Sequence, residues 1–110
     1  MKAIATAACA ALLLVSLSAE AKGNAESGKA KAAQVCVACH GADGAKPSAP
    51  DQPILAGQYY DYLVRALKDY KSGARTNPIM KGFAATLSPK DIEDLAAWFS
   101  SQPTPLHDQR

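Results

Sequence analysis

Cys36, Cys39 and His40 stand close together in the run Cys36-Val37-Ala38-Cys39-His40. On a helix these positions are i, i+3 and i+4, and they share one face. The spacing is C-x-x-C-H, the signature of covalent haem attachment. Two thiols so placed can add to the two vinyl groups of one haem. The imidazole beside the second thiol can reach the iron from the same side.

Two other chemistries use the same residues. A thioredoxin-like dithiol expects a strand leading into a helix, and nothing around residue 36 has a strand pattern. A zinc site needs a fourth ligand. Beyond the motif stand only His107, in a Pro-flanked tail, and Cys9. The residues favour haem over both alternatives.

The chain has 110 residues, enough for one small domain. Its first 21 read as a secretory signal peptide. Lys2 gives a positive start, Ala7 to Val15 is an uncharged apolar run, and Ala19-Glu20-Ala21 is a small-x-small cleavage pattern. The run falls short of the roughly 20 residues that span a bilayer. A lipoprotein reading with Cys9 as the lipidated residue is weaker, because most of the apolar run follows Cys9. Cleavage after Ala21 would send residues 22–110 to the periplasm as one domain. Covalent haem attachment in bacteria takes place on that side of the inner membrane. A disulfide between Cys36 and Cys39 would close too short a loop to stabilise much. The formal net charge of +2 gives no reason to expect nucleic acid or an anionic membrane surface as partner.

The elements that must position the motif are helical. Asn24 is an N-cap with Glu26 in the first turn, and Ala25, Gly28, Ala32 and Val35 form a small-sided stripe. Gly inside a helix costs about 1 kcal/mol relative to Ala, so Gly28 suggests close approach of another element. Gly41, Gly44, Pro47, Pro50 and Pro53 mark an irregular loop to about residue 57. Gln58 to Lys71 is a helix with Tyr59, Leu63, Ala66, Leu67 and Tyr70 on one face, closed by Gly73. Arg75 to Leu87 reads as loop, broken at Asn77-Pro78, and it contains Met80. Ser88-Pro89 then opens a last helix with Asp91 at N3, and Ile92, Leu95, Ala96 and Phe99 as its apolar face. The tail from about residue 103 is expected to be disordered. Three helices with Pro/Gly-rich loops and few large apolar residues make a domain short of core. A flat apolar group at the centre would supply it.

Neutral imidazole suits iron, which makes His40 the proximal ligand. For the sixth position Met80 is the only Met left once the leader is removed, and a soft thioether suits ferrous iron. His107 and Lys81 are weaker competitors. His/Met ligation raises the reduction potential. It also fills both axial positions, which suits one-electron transfer better than catalysis on a substrate.

With these residues in hand, the mature chain resembles the small soluble bacterial periplasmic class I monohaem cytochromes c. The likeness covers Cys36 to His40, Gly28 and Ala32 before them, Asn77-Pro78-Ile79-Met80, and Leu95-Ala96-Ala97-Trp98-Phe99. It implies an all-α fold, with three main helices and loops wrapped around one covalent haem c. It implies Trp98 against Gly28, and Pro53, from Pro53-Ile54-Leu55-Ala56-Gly57-Gln58, as acceptor for the proximal His40 ring. The expected function is that of a monomeric electron carrier rather than an enzyme. Larger redox proteins would dock at its haem edge. Three alternatives stand: a cytochrome subunit of a dehydrogenase complex, a haem sensor or enzyme with a labile sixth ligand, and a structural metal module.

Overall fold

The computed structural model describes residues 23–105. The expected leader at 1–21, with Cys9, and the tail residue His107 lie outside the described residues. Among the described residues five helices and no strand occur: α1 (Ala25–Val35), α2 (Val37–His40), α3 (Tyr60–Ser72), α4 (Pro78–Ala84) and α5 (Pro89–Ser100). The fold is all-α, as expected. No described helix is long and apolar enough to cross a membrane.

Asn24 caps α1, its side chain accepting from the Ser27 amide at 2.8 Å. The buried face of α1 is Gly28 and Ala32, and the absence of bulk there lets α5 cross close by. A Cβ on Gly28 would stand 1.9 Å from the Asp94 carbonyl oxygen and 2.9 Å from the Trp98 Cβ. Trp98 therefore lies against Gly28, as the resemblance implied. Asp94 is only 4% exposed, and it ties the crossing together. Its Oδ1 accepts from the Asn24 amide at 2.8 Å, and its Oδ2 receives Lys90 at 2.6 Å.

α5 begins with a capping box. The Ser88 hydroxyl accepts from the Asp91 amide, the Asp91 carboxylate accepts from the Ser88 amide, and Pro89 follows the cap. Ile92, Leu95, Ala96 and Phe99 are all buried, in line with the periodicity.

α3 starts two residues later than the sequence expectation, at Tyr60 rather than Gln58, and ends one residue later, at Ser72. Tyr59 is the extended N-cap residue and is exposed, whereas Tyr60 packs on the core. The helix starts after Tyr59, so that side chain does not follow the helical wheel. Tyr60 accepts from the Gly23 amide at 3.1 Å through its hydroxyl. Leu63 and Ala66 are buried as expected, and Gly73 ends the helix.

The stretch 75–87 is not all loop: residues 78–84 form α4, with Met80 on it. Asn77-Pro78 starts a helix instead of breaking one. The Asn77 side chain accepts from the amides of Ile79 and Met80, and Pro78 at the first helical position has no amide to satisfy.

The loop between α2 and α3 is pinned at several points. Gly44 accepts from the amides of Leu55 at 2.8 Å and Ala56 at 3.2 Å, and Phe99 accepts from the Gly57 amide at 2.9 Å. Gly44 has φ of 81°, and a Cβ on it would stand 2.7 Å from the Phe99 ring. Only glycine accepts both conditions without strain. Thr104, in the short stretch after α5, packs against Gly57. The core is Ala32, Leu63, Leu87, Ile92, Leu95, Ala96 and Phe99. Ile92 and Leu95 are the largest side chains fully inside it.

Candidate functional site

α1 passes into α2 with a single-residue interruption at Cys36. The Cys36 amide still donates to Ala32 at 2.8 Å, and the Cys36 carbonyl accepts from the His40 amide at 3.1 Å. The motif therefore occupies one turn. Cys36 and Cys39 are both half-buried and unpaired. Burial pushes the Cys36 thiol up to about 11, against the opposing pull of Lys31. Zinc binding and dithiol exchange both require thiolate, which burial disfavours here. Among the described residues no group of three His, Cys, Asp or Glu side chains converges as a metal site.

His40 is 6% exposed. Its Nδ1 lies 2.9 Å from the Pro53 carbonyl oxygen. A carbonyl can only accept, so Nδ1 carries a proton, and in the neutral ring Nε2 keeps a lone pair. Among the described residues no protein group pairs with Nε2. A buried acceptor nitrogen without a protein partner is what an iron ligand presents before metal is counted.

Met80 is half-buried on α4 and lines the same cavity as Cys36, Cys39 and His40. Val35, Leu67 and Leu87 complete much of the wall. A second chamber, bordered by Leu55, Leu63 and Phe99, shares Cys36, His40, Pro53, Leu67 and Met80 with the first. Leu67, which belongs to both, comes from α3. These residues fit a haem: apolar walls for a flat macrocycle, two sulfurs, one imidazole lone pair and one thioether. Lys81 does not line the cavity; it is exposed, with its Nζ close to Gly73.

The roles of two residues near the site are absent from the sequence reading. Asn77 lines the cavity and caps the Met80 helix. Asn77-Pro78 repeats the cap-then-Pro pattern of Ser88-Pro89, but the same pair also serves in turns. Lys71, on α3, donates to the Leu87 carbonyl beyond α4. No local sequence pattern announces that contact. Arg75 stacks over the Tyr70 ring at 4.6 Å and reaches the Tyr62 hydroxyl at 3.4 Å, holding the stretch between α3 and α4 against α3.

Comparison with known proteins gives a family match over residues 23–99, to the family described as cytochrome c oxidase, cbb3-type, subunit III. Cytochrome c4 of Pseudomonas aeruginosa is 52% identical over 84 residues, covering 76% of this chain and 41% of that protein. The thiosulfate dehydrogenase electron acceptor of Stutzerimonas stutzeri is 40% identical over 99 residues, covering 86% of this chain and 46% of that one. The crystal structure of reduced recombinant cytochrome c4 from Pseudomonas stutzeri superposes with a TM-score of 0.69 at 43% identity, over 76% of this chain and 48% of that chain. The present chain thus spans less than half the length of each of these relatives.

Proposed function

Because the chain belongs to the c-type cytochromes, with a class I fold and one covalently bound haem c as cofactor, we propose that it carries single electrons between redox proteins of the bacterial periplasm. In this reading Cys36 and Cys39 would hold the haem through thioethers, and His40 Nε2 and Met80 Sδ would ligate its iron. The bound haem supplies an iron that gains and loses one electron.

The chain's own residues set the conditions for that exchange. Pro53, accepting from Nδ1, keeps the His40 ring oriented with Nε2 bare. The thioether of Met80 favours the reduced iron and raises the potential. Val35, Leu67 and Leu87 give the cavity apolar walls, which would disfavour the more highly charged ferric form. With His40 and Met80 both serving as ligands, a bound iron would have no open position for a substrate. The reading is therefore a carrier and not an enzyme. The observation that carries it is the convergence of Cys36, Cys39, His40 and Met80 on one cavity.

A stopped-flow experiment tests it. The reduced holoprotein should be oxidised in a single one-electron phase by a second c-type cytochrome of higher potential, without consuming oxygen. Oxygen uptake or peroxide turnover by the protein alone would contradict it.

One relative favours a second reading. A protein named as an electron acceptor of thiosulfate dehydrogenase is 40% identical, so this chain would be the cytochrome partner of a dehydrogenase. Gel filtration of the native extract separates the two. A monomer supports the free carrier, and co-elution with a dehydrogenase activity supports the subunit.

A further inference from the structure

We propose that Asn77 is the positioning residue for Met80: its side-chain cap fixes the helical turn that carries the thioether. The inference rests on the reading of Met80 as an axial ligand. α4 has seven residues, and a helix that short does not hold itself together. Its ends decide whether the turn forms.

The first donors of any helix lack partners within it. Here Asn77 and its neighbour account for them in order. Pro78 at the first position has no amide hydrogen. The amides of Ile79 and Met80 both donate to Asn77 Oδ1, each at 3.1 Å. The amide of Lys81 donates to the Asn77 backbone carbonyl at 2.8 Å. One of the two side-chain bonds is therefore to the backbone of Met80 itself. Asn77 also borders the cavity that Met80 lines. Beyond the other end of α4, Lys71 holds the Leu87 carbonyl, and Leu87 is buried against the same cavity. The segment is thus tied on both sides, and the Asn77 tie is the one next to the ligand. Without it the N-terminal turn of α4 frays, and the thioether spends more time off the iron.

The test uses holoprotein carrying Asn77→Ala, Asn77→Ser or, as a control for general destabilisation, Ser88→Ala, which removes the α5 cap. Three readouts follow Met80 directly: carbon monoxide binding to the ferrous form, the near-infrared sulfur-to-iron band of the ferric form, and the reduction potential. Loss of one helix cap corresponds to about a tenfold larger open population. Asn77→Ala should therefore bind carbon monoxide about tenfold faster, with a weaker band and a lower potential. Asn77→Ser, which still caps, should stay near wild type. Ser88→Ala should melt earlier while its band and carbon monoxide rate stay unchanged.

A wild-type band and rate in Asn77→Ala overturn the proposal, and so does an equal rise in Ser88→Ala. Should Asn77→Ala fail to take up haem, Asn77→Ser decides: a wild-type rate supports the cap and a tenfold rise contradicts it. A wild-type protein without the band overturns the ligation of Met80 itself, a failure distinct from that of the cap.

Discussion

The carbonyl oxygen of Asp94 on α5 occupies almost the place where a Cβ on Gly28 of α1 would stand, 1.9 Å away. The obstacle is backbone, so it cannot rotate aside. Gly28→Ala would gain about 1 kcal/mol of helix propensity, yet overpacking of this kind costs about 1–3 kcal/mol. With rigid backbone opposite, the upper end applies. The expected outcome is a net loss of roughly 2 kcal/mol in urea unfolding of the holoprotein. An unchanged midpoint would mean that α1 and α5 separate easily, and the crossing would not be the fixed frame described above.

The capping box of α5 makes part of the stability depend on pH. The Ser88 amide, donating to Asp91 Oδ2 at 2.9 Å, is the main reason the Asp91 carboxyl lies below the usual carboxylate range. The Ser88 side chain and Lys31, 3.6 Å away, add smaller contributions. A folded-state pKa below the unfolded one stabilises the protein above the unfolded value, near pH 4, and that stability disappears as pH falls through the folded value. Wild type should therefore lose more stability than Asp91→Asn between about pH 5 and about pH 3. The difference should stay under about 1 kcal/mol, because the carboxylate is partly solvated. Parallel melting curves across that range would contradict the assignment.

The core holds few large side chains, with Ile92 and Leu95 the largest fully buried ones. Removal of the haem should therefore unfold much of the domain. The measurement is far-UV circular dichroism of a Cys36→Ala, Cys39→Ala variant, which should lose most of its helical signal. Full native helicity in that variant would show that the protein interior suffices alone.

Legibility in the sequence followed the range of the interactions involved. The α5 face was readable because Ile92, Leu95, Ala96 and Phe99 repeat at helical spacing and Ser88, Pro89 and Asp91 announce the start. The placement of Cys36, Cys39 and His40 within one turn was readable because their spacing alone sets it. α4 was misread as loop because Asn77-Pro78 is ambiguous locally. Either residue also serves in turns, and only the amides of Ile79 and Met80 on the Asn77 side chain resolve the choice. Tyr59 was placed on the core face because a wheel drawn from Gln58 begins two residues too early, and Tyr59 precedes the first helical residue. The tie between Asp94 and the Asn24 amide joins residues 70 apart, and nothing local encodes it.

The most direct measurement of the central claim is the near-infrared absorption of the ferric holoprotein, taken on wild type and on Met80→Ala. The account predicts the weak sulfur-to-iron band in wild type. In the variant it predicts loss of that band, a lower reduction potential and an iron open to cyanide. A wild-type spectrum without the band, or a Met80→Ala spectrum that keeps it, would contradict the ligation of haem iron by Met80 on which the carrier reading depends.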